Sequence, residues 1–261
     1  MSALRLYKYQ GTGNDFLLGD NRNGQYGILT AAQIEKLCDR RFGIGADGFI
    51  LLEPAPNKDF SMRYFNANGK PGSFCGNGAR CTIQFAHHLA IVKDEYFFSA
   101  ADGDHCARRE ADGTISLLMR PVTALHPHQD GVFADTGSPH LVVMVEDLDN
   151  VDVVVAGRSI RYNDTYRETG INVNFVQRTD DPTTIRVRTY ERGVEDETYS
   201  CGTGSVAAAL AVADQTSGPQ QIGVQTKGGN LFVRFTKQPS EYSDIWLRGP
   251  AVFVFETTLD L

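Results

Sequence analysis

The stretch "FCGNGARC" (74–81) places Cys75 in front of two glycines that flank an asparagine, and "SCGTGSVAAA" (200–209) repeats this Cys-Gly-x-Gly step at Cys201. Two further echoes keep the same order: "GTGNDF" (11–16) with "DTGSPH" (135–140), and "RYFNANG" (63–69) with "TYERGVE" (189–195). The three pairs share an offset of about 125 residues, which is typical of an internal repeat. We therefore predict that the chain consists of two duplicated halves.

Both halves are predicted to be rich in strands, with few helices. Alternating or β-branched runs between Gly, Asp and Asn turns are typical of strands. Such runs are "LRLYKY" (4–9), "GFILLE" (48–53), "TISLLM" (114–119), "HLVVMVE" (140–146), "TTIRVRTY" (183–190) and "NLFVRF" (230–235). The segment "TAAQIEKLCDRRFG" (30–43) instead predicts an amphipathic helix that is capped by Thr30 and ends at Gly43.

Each repeated cysteine precedes a further helical pattern. In "ARCTIQFAHHLAIV" (79–92), one helical face carries Cys81, Phe85, Leu89 and Val92. The segment "SVAAALAVAD" (205–214) is small and apolar all round, as expected of a helix enclosed by other elements. The predicted fold class is α/β of the α+β kind. It has two pseudo-symmetric halves, each a mostly antiparallel sheet wrapped around a central helix, with the active site in the cleft between them.

The boundary between the halves is predicted near "RPVTALHPH" (120–128), where prolines and polar residues interrupt the strand pattern. The first half then comprises residues 1–121 together with about 250–261, because "LRGPAVFVFE" (247–256) has the pattern of a last strand that returns to it. The second half comprises residues 122–249.

The composition limits the classes of partner. With 261 residues, 41% of them hydrophobic and 22% charged, the chain resembles an ordinary globular protein. A formal net charge of −7 without a Lys/Arg block argues against nucleic acid or a membrane surface as partner. No apolar run is long enough to span a bilayer, and "MSALRLYKYQ" (1–10) lacks a signal-peptide core, so we expect a cytoplasmic location. The expected partner is a small molecule or a second copy of the chain.

The cysteines are expected to be thiols, because an odd number at irregular spacing is not a disulfide framework. The five are Cys38, Cys75, Cys81, Cys106 and Cys201. We interpret Cys38, Cys81 and Cys106 as small buried hydrophobic residues.

The paired Cys-Gly-x-Gly step predicts a chemistry of its own. A thiol at the start of a buried helix lies where unpaired N–H groups favour negative charge, so its pKa falls. Glycines behind it let backbone N–H groups approach a carboxylate closely. Two such thiols on opposite sides of one α-carbon could remove a proton from one face and return one to the other. The sequence therefore predicts inversion at a stereocentre by Cys75 and Cys201.

Metal and nucleotide sites are not predicted. The chain has no CxxC or HxxxH motif, and "HPH" (126–128) is interpreted as a loop. "GNGAR" lacks the Lys-Ser/Thr of a phosphate-binding loop, and "GTGNDF" lacks the spacing of a dinucleotide fingerprint. We expect no metal and no cofactor.

Seven motifs in order resemble those of the diaminopimelate epimerase family, over nearly the whole chain. They are "GTGNDF", "FNANG", "CGNGARC", "GSPH", "NVNFVQ", "TYERG" and "CGTGS". The resemblance implies an isomerase that interconverts LL- and meso-diaminopimelate without pyridoxal phosphate or metal, on the lysine and peptidoglycan pathway. It also implies two pseudo-symmetric halves and a homodimer.

The resemblance carries roles to individual residues. It makes Cys75 and Cys201 the acid/base pair, with His140 and Glu191 tuning the two thiols. The substrate-binding residues that it implies are Asn14, Asn66, Gly76, Asn77, Asn172, Glu191, Arg192, Gly202 and Thr203. Gly76 with Asn77, and Gly202 with Thr203, would bind the proximal carboxylate through backbone N–H groups. Arg192 would bind the distal carboxylate. Asn14, Asn66 and Asn172 would hold the distal amino and carboxylate groups.

Three positions depart from the family pattern. Asn68 replaces an acidic residue, Ser138 replaces an asparagine, and Gly48 replaces a glutamine that contacts substrate in many members. The last two changes remove polar groups near the distal end of the substrate.

Other functions remain open at this point. A related racemase acting on proline or histidine would use the same two thiols, but not Arg192 and the three asparagines. A cysteine hydrolase could use Cys201 with His140, which leaves Cys75 without a role. A non-catalytic amino-acid-binding protein would bind ligand without exchanging its α-proton.

Overall fold

The computed structural model of the chain describes residues 3–214 and 216–260. The chain divides into two units, unit 1 being Met1–Leu117 with Gly249–Leu261 and unit 2 being Leu118–Arg248. Within the described residues, no helix combines the length and apolarity needed to cross a membrane.

Unit 1 contains two α-helices, the first seven strands of the chain and the last one. Its strands are β1 (Ala3–Gly11), β2 (Asn14–Asp20), β3 (Gly48–Glu53), β4 (Phe60–Asn66), β5 (Glu95–Ala100), β6 (Gly103–Arg109), β7 (Ile115–Leu118) and β17 (Val252–Asp260). Its helices are α1 (Ala31–Cys38) and α2 (Gly76–His88), with a 3₁₀ turn at Gln25–Ile28. Strand β1 pairs antiparallel with both β2 and β17. From β2 onward the pairs are β2–β3 parallel, β3–β4 antiparallel, β4–β5 parallel and β5–β6 antiparallel.

Unit 2 repeats this order. Its strands are β8 (Leu125–His128), β9 (Gly131–Asp135), β10 (Pro139–Met144), β11 (Asn172–Arg178), β12 (Thr184–Glu191), β13 (Asp196–Thr198), β14 (Gly218–Thr226), β15 (Gly229–Lys237) and β16 (Tyr242–Gly249). Its helices are α3 (Val153–Arg161) and α4 (Gly202–Val212). Here β10–β11 is parallel, β11–β12 antiparallel, β12–β14 parallel and β14–β15 antiparallel. The predicted duplication is therefore present in the topology.

The second helix of each unit lies at the centre of its sheet, as predicted. Helix α2 contacts β1, β2, β3, β4, β6 and β17, and α4 contacts β9, β10, β11, β12, β14 and β15. Every residue from Val206 to Leu210 is buried, because α4 is apolar on all sides and must be covered all round. The strands of each unit therefore position the N-terminus of its central helix.

The six runs predicted as strands coincide with β1, β3, β7, β10, β12 and β15. Helix α1 has the predicted cap, since Thr30 and Gln33 form a capping box, but its predicted end at Gly43 is wrong. The helix ends at Cys38 because the Asp39 carboxylate accepts the N–H groups of Arg41 and Phe42 in a local turn.

Helix α2 is also shorter than the pattern predicts. It ends at His88, where Ala90 adopts a left-handed φ of 63° and Ile91 donates its N–H to Ala86 O at 3.0 Å. This hydrogen bond closes the helix in a Schellman motif. The predicted place of Val92 on the helical face is therefore wrong, and its side chain is 67% exposed.

No helix is predicted from the pattern at Val153–Arg161, where α3 lies. Three consecutive valines favour a strand locally. The helix forms nevertheless, with Asp152 as its cap accepting the Val155 N–H at 3.0 Å.

Candidate active site

Cys75 is the N-cap of α2, with φ −125° and ψ 113°. Its thiol is half-buried. The first turn behind it, Gly76 to Ala79, carries no acidic side chain, so no carboxylate of that turn neutralises the positive end of the helix. Gly76 and Asn77 are the first two residues of the helix. Backbone N–H groups in the first turn of a helix have no partner within the helix and point outward.

The Cys75 thiol meets the side chain of Asn14, which a second asparagine, Asn77, holds in turn. The Sγ atom donates to Asn14 Oδ1 at 3.7 Å, and the same oxygen accepts Asn77 Nδ2 at 3.2 Å. The Asn14 Nδ2 group donates to the Asp47 carboxylate at 2.6 Å. Asn14 is the first residue of β2, directly after the tight turn at Thr12 and Gly13. Three residues predicted for the site are thus brought together.

Asn66 and Gly48 lie opposite each other at the ends of β4 and β3. The Asn66 residue is exposed. A Cβ atom on Gly48 would lie 2.4 Å from Tyr64 Cε2 and 2.7 Å from Phe65 O. The ring of Tyr64 therefore occupies the space that a side chain at position 48 would need, which explains the departure to glycine there.

In unit 2, Cys201 holds the equivalent position. It is the N-cap of α4, with φ −113° and ψ 116°, close to the angles of Cys75. Its residue is only 8% exposed, and its Sγ lies 3.6 Å from Thr203 Oγ1. Gly202 and Thr203 open the helix behind it, as Gly76 and Asn77 do in unit 1.

The imidazole of His140 connects to this thiol through Thr203. It is fully buried, and its Nε2 lies 2.9 Å from Thr203 Oγ1 and 2.9 Å from Ser138 Oγ. Its Nδ1 faces Asn174 Nδ2 at 3.1 Å, and because an amide nitrogen only donates, Nδ1 is the acceptor and Nε2 carries the hydrogen. Burial, reinforced by the charge of Arg192, lowers the pKa of His140 to about 3. His140 is therefore neutral at pH 7.

Two of the predicted distal residues, Asn172 and Arg192, lie together where β11 begins and β12 ends. Asn172 Oδ1 accepts the backbone N–H of Arg192 at 2.9 Å, and its Nδ2 donates to Pro139 O at 2.9 Å. The Arg192 residue is exposed, and its Nη1 donates to Thr169 O at 3.1 Å. Glu191 is the half-buried last residue of β12, opposite Asp196. Asn172 thus holds the backbone that presents Arg192.

Two residues of these clusters were not predicted. Asn174 is fully buried; besides the bond to His140 it donates to Leu141 O at 3.2 Å and accepts from Thr189 Oγ1 at 3.0 Å. Arg80 is fully buried beside Asn77. The available signal was the same for both: a polar residue inside an otherwise apolar segment, on the face that must be buried.

The remaining cysteines are not reactive candidates. All five cysteines are free thiols, as predicted. Burial raises the pKa of Cys38 to about 11 and that of Cys81 to about 12. Cys106 is half-buried rather than buried, and burial raises its pKa too.

Known proteins resemble the chain over its full length. The family model for diaminopimelate epimerase matches residues 6–124 and 132–254. The diaminopimelate epimerase of Flavobacterium psychrophilum is 49% identical over 98% of this chain and 100% of the relative. That of Chlorobaculum tepidum is 42% identical over 96% of this chain and 99% of the relative.

Solved structures share the fold at low identity. A phenazine biosynthesis protein of the PhzF family from Bacillus anthracis superimposes with a TM-score of 0.73 and 16% identity, covering 100% of both chains. A hydroxyproline epimerase from Agrobacterium vitis gives a TM-score of 0.63 and 15% identity, covering 98% of this chain and 92% of its own. These two likenesses concern the fold alone.

Proposed function

The chain belongs to the diaminopimelate epimerase family, a family of isomerases, and we propose that it inverts one α-carbon of 2,6-diaminopimelate, interconverting the LL and meso forms. The observation that carries the proposal is the pair of helix N-caps. Cys75 and Cys201 have the same backbone conformation, each at the start of the helix around which its own sheet is built.

The two thiols would act as a base and an acid in one turnover. The thiolate of one cysteine takes the α-proton and becomes a thiol, while the S–H of the other gives its proton to the opposite face and becomes a thiolate. Protons and charge balance, and the two cysteines exchange states. Return to the starting state needs only proton exchange with solvent, so the step requires no oxidant or cofactor.

Backbone and side-chain groups would hold the substrate during this exchange. The N–H groups of Gly76, Asn77, Gly202 and Thr203 are placed at helix N-termini, where carboxylates bind well. They would also stabilise the charge that develops as the α-proton leaves. At the distal end, Arg192 would bind the second carboxylate, while Asn14, Asn66, Asn172 and Glu191 would contact or position the remaining polar groups.

Incubation with LL-diaminopimelate in deuterated water tests the proposal. At early times the meso product should carry deuterium at the inverted carbon, while recovered LL substrate stays largely unlabelled, because the returned proton comes from a second, solvent-equilibrated thiol. Cys75→Ala and Cys201→Ala should each abolish inversion without unfolding. Cys106→Ala is the matched control and should keep the parent rate. Inversion of proline at a higher rate than diaminopimelate would contradict the substrate assignment.

The cellular setting is a further part of the proposal. The reaction would serve lysine and peptidoglycan-precursor synthesis in the cytoplasm, by a homodimer without nucleic-acid or membrane partners. Support for self-association comes from β17, where Val252, Phe253, Val254 and Phe255 are each between 41% and 51% exposed. Consecutive exposed apolar side chains on a strand are typical of an interface.

A further inference from the structure

Arg80 is a guanidinium buried in unit 1 without a carboxylate partner among the described residues. Its residue is 0% exposed. Its Nη2 donates to Thr12 Oγ1 at 3.0 Å and to Asn77 Oδ1 at 2.9 Å, and its Nε donates to Pro250 O at 3.4 Å. Within the described part of the chain, its buried Nη1 has no hydrogen-bond partner. All three acceptors are neutral oxygens, and burying a charge that remains unbalanced is costly.

The backbone that meets Arg80 is in a costly conformation as well. Thr12 has a φ of 52°, in the left-handed region that β-branched residues rarely adopt. Its side chain is buried, and its hydroxyl donates to Gly11 O at 2.8 Å while it accepts from Arg80. An unbalanced cation and a strained threonine thus meet against the first turn of α2. Costs of this kind persist where function requires them.

The carboxylates nearest this network already have their own cations. Lys8 binds Asp15, and Arg40 binds both Asp15 and Asp47, at 2.6, 2.5 and 2.7 Å. Although burial opposes it, the hydrogen bonds from Arg40 and Lys8 lower the pKa of Asp15 to about 2. Two carboxylates and two cations balance each other, so neither acid is left to balance Arg80.

Two titratable groups, Cys81 and Cys75, interact electrostatically with Arg80. Burial raises the pKa of Cys81 to about 12, so this thiol stays neutral at pH 7. Cys75 is half-buried at the positive end of α2, and it interacts electrostatically with Arg80. Among the described residues, Cys75 is therefore the group best placed to carry the balancing negative charge.

A hydrogen-bond chain through two asparagines links Arg80 to the Cys75 thiol. Arg80 holds Asn77 Oδ1, which turns Asn77 Nδ2 toward Asn14 Oδ1, the atom that faces the Cys75 thiol. Ionisation of Cys75 gives up a long S–H contact of 3.7 Å, which is weak because sulfur is a poor donor. Attraction between the buried guanidinium and Cys75 favours the thiolate over the thiol.

We propose that Arg80 is a positioning residue whose buried guanidinium is the countercharge that keeps Cys75 ionised in the resting protein. The proposal rests on the proposed role of Cys75 as an acid/base group. Because the proposed exchange needs one thiolate and one thiol, Cys75 is then the resting thiolate and Cys201 the resting thiol.

The test is the pH dependence of Cys75 alkylation by iodoacetamide, read by peptide mass spectrometry without substrate. In the parent, the midpoint should lie below about 8.5, the value of an ordinary thiol. Arg80→Met, which removes the charge but keeps the length, should raise the midpoint by about one unit or more. Arg80→Lys keeps the charge and should retain most of the depression. Arg109→Met, at a residue that contacts Gln84 on α2 at 3.2 Å, is the matched control and should change nothing.

A parent midpoint at or above that of an ordinary thiol overturns the proposal without relying on any variant to fold. A folded Arg80→Met protein with the parent midpoint would also overturn it. So would an equal rise of the midpoint in Arg80→Met and Arg80→Lys, because the shape of the side chain, and not its charge, would then set the midpoint. If Arg80→Met increased the KM for diaminopimelate but left the alkylation midpoint unchanged, the Arg80 charge would balance the substrate carboxylate and not Cys75. Because alkylation needs no turnover, a chain that fails to epimerise but gives the expected midpoints would contradict the proposed function alone.

Discussion

His140 is the clearest single-residue link between burial and chemistry in unit 2. The neutral, fully buried imidazole has one N–H group. Asn174 donates to Nδ1, so the hydrogen is on Nε2, which faces Thr203. The Thr203 hydroxyl in turn lies 3.6 Å from Cys201 Sγ, which extends the hydrogen-bond chain to the thiol. The imidazole is thereby linked to the Cys201 thiol through Thr203, and its tuning of that thiol stays a prediction.

The depressed pKa of His140 predicts a pH-dependent stability. The unfolded state binds a proton below about pH 6.5, whereas the folded state does so only near pH 3. Stability should therefore fall as pH drops through this window, by up to about 1.4 kcal/mol per pH unit from this residue. Urea unfolding at pH 7 and pH 4.5 should show a smaller loss for His140→Gln than for the parent. His126→Gln, at an exposed histidine, should keep the parent's loss.

Arg192 predicts a binding effect. Arg192→Lys keeps the charge but loses the planar pair of donors that suits a carboxylate. The expected loss is about 1.5 to 3 kcal/mol of substrate binding, measured as a higher KM for LL-diaminopimelate. Arg234→Lys, at an arginine paired loosely with Asp244 at 3.7 Å, is the control. A near-parent KM for Arg192→Lys would show that Arg192 does not hold the distal carboxylate.

At the scale of single elements, strand β3 begins at a position without room for a side chain. Gly48→Ala would force a Cβ against the Tyr64 ring and Phe65 O, and overpacking of this kind costs about 1 to 3 kcal/mol. Thermal unfolding should show the loss. Gly27→Ala, where no atom lies within 4 Å of the added Cβ, should be close to neutral. Equal melting temperatures for Gly48→Ala and the parent would mean that Tyr64 moves aside freely.

Helices α2 and α4 show how an element sets up a thiol. Each is enclosed by its sheet and begins directly after a cysteine in extended conformation. The duplication repeats this arrangement but not its surroundings. In unit 1 a buried guanidinium holds Asn77 behind Cys75, whereas in unit 2 a neutral imidazole reaches Cys201 only through Thr203. We therefore expect the two copies of the motif to hold opposite protonation states.

For the whole molecule, opposite protonation states predict a bell-shaped dependence of kcat/KM on pH. Activity needs one thiolate and one thiol together, so it should fall at low pH as the thiolate is protonated and at high pH as the thiol ionises. Arg80→Met should move the acidic limb to higher pH, since that limb reports the Cys75 thiolate. A profile with a single limb between pH 6 and 10 would contradict the two-thiol scheme.

The exposed apolar side chains of β17 predict self-association. Light scattering after gel filtration should give twice the chain mass for the parent. Val254→Glu, at a residue 51% exposed, should shift the mass toward the monomer, because it places a charge within an apolar interface. Val155→Glu on α3, 65% exposed, should not. A monomeric parent would contradict the homodimer directly.

Periodicity and repeated motifs were sufficient to predict the duplicated strands, the two central helices and the cysteines that cap them. Those features depend on local pattern: alternation for strands, apolar faces for helices, and Gly after Cys at a helix start. Helix ends were less predictable, because the turn at Asp39 and the left-handed Ala90 compete with a pattern that still looks helical.

The roles of Arg80 and Asn174 became visible only in three dimensions. Their roles depend on partners far along the chain, Pro250 and Thr12 for Arg80 and His140 for Asn174. Whether a charge or an amide is buried, and whether an opposite charge lies beside it, depends on which distant segments cover it. A linear pattern contains the residue, but the dielectric surroundings and the missing countercharge exist only once the sheet has closed around the helix.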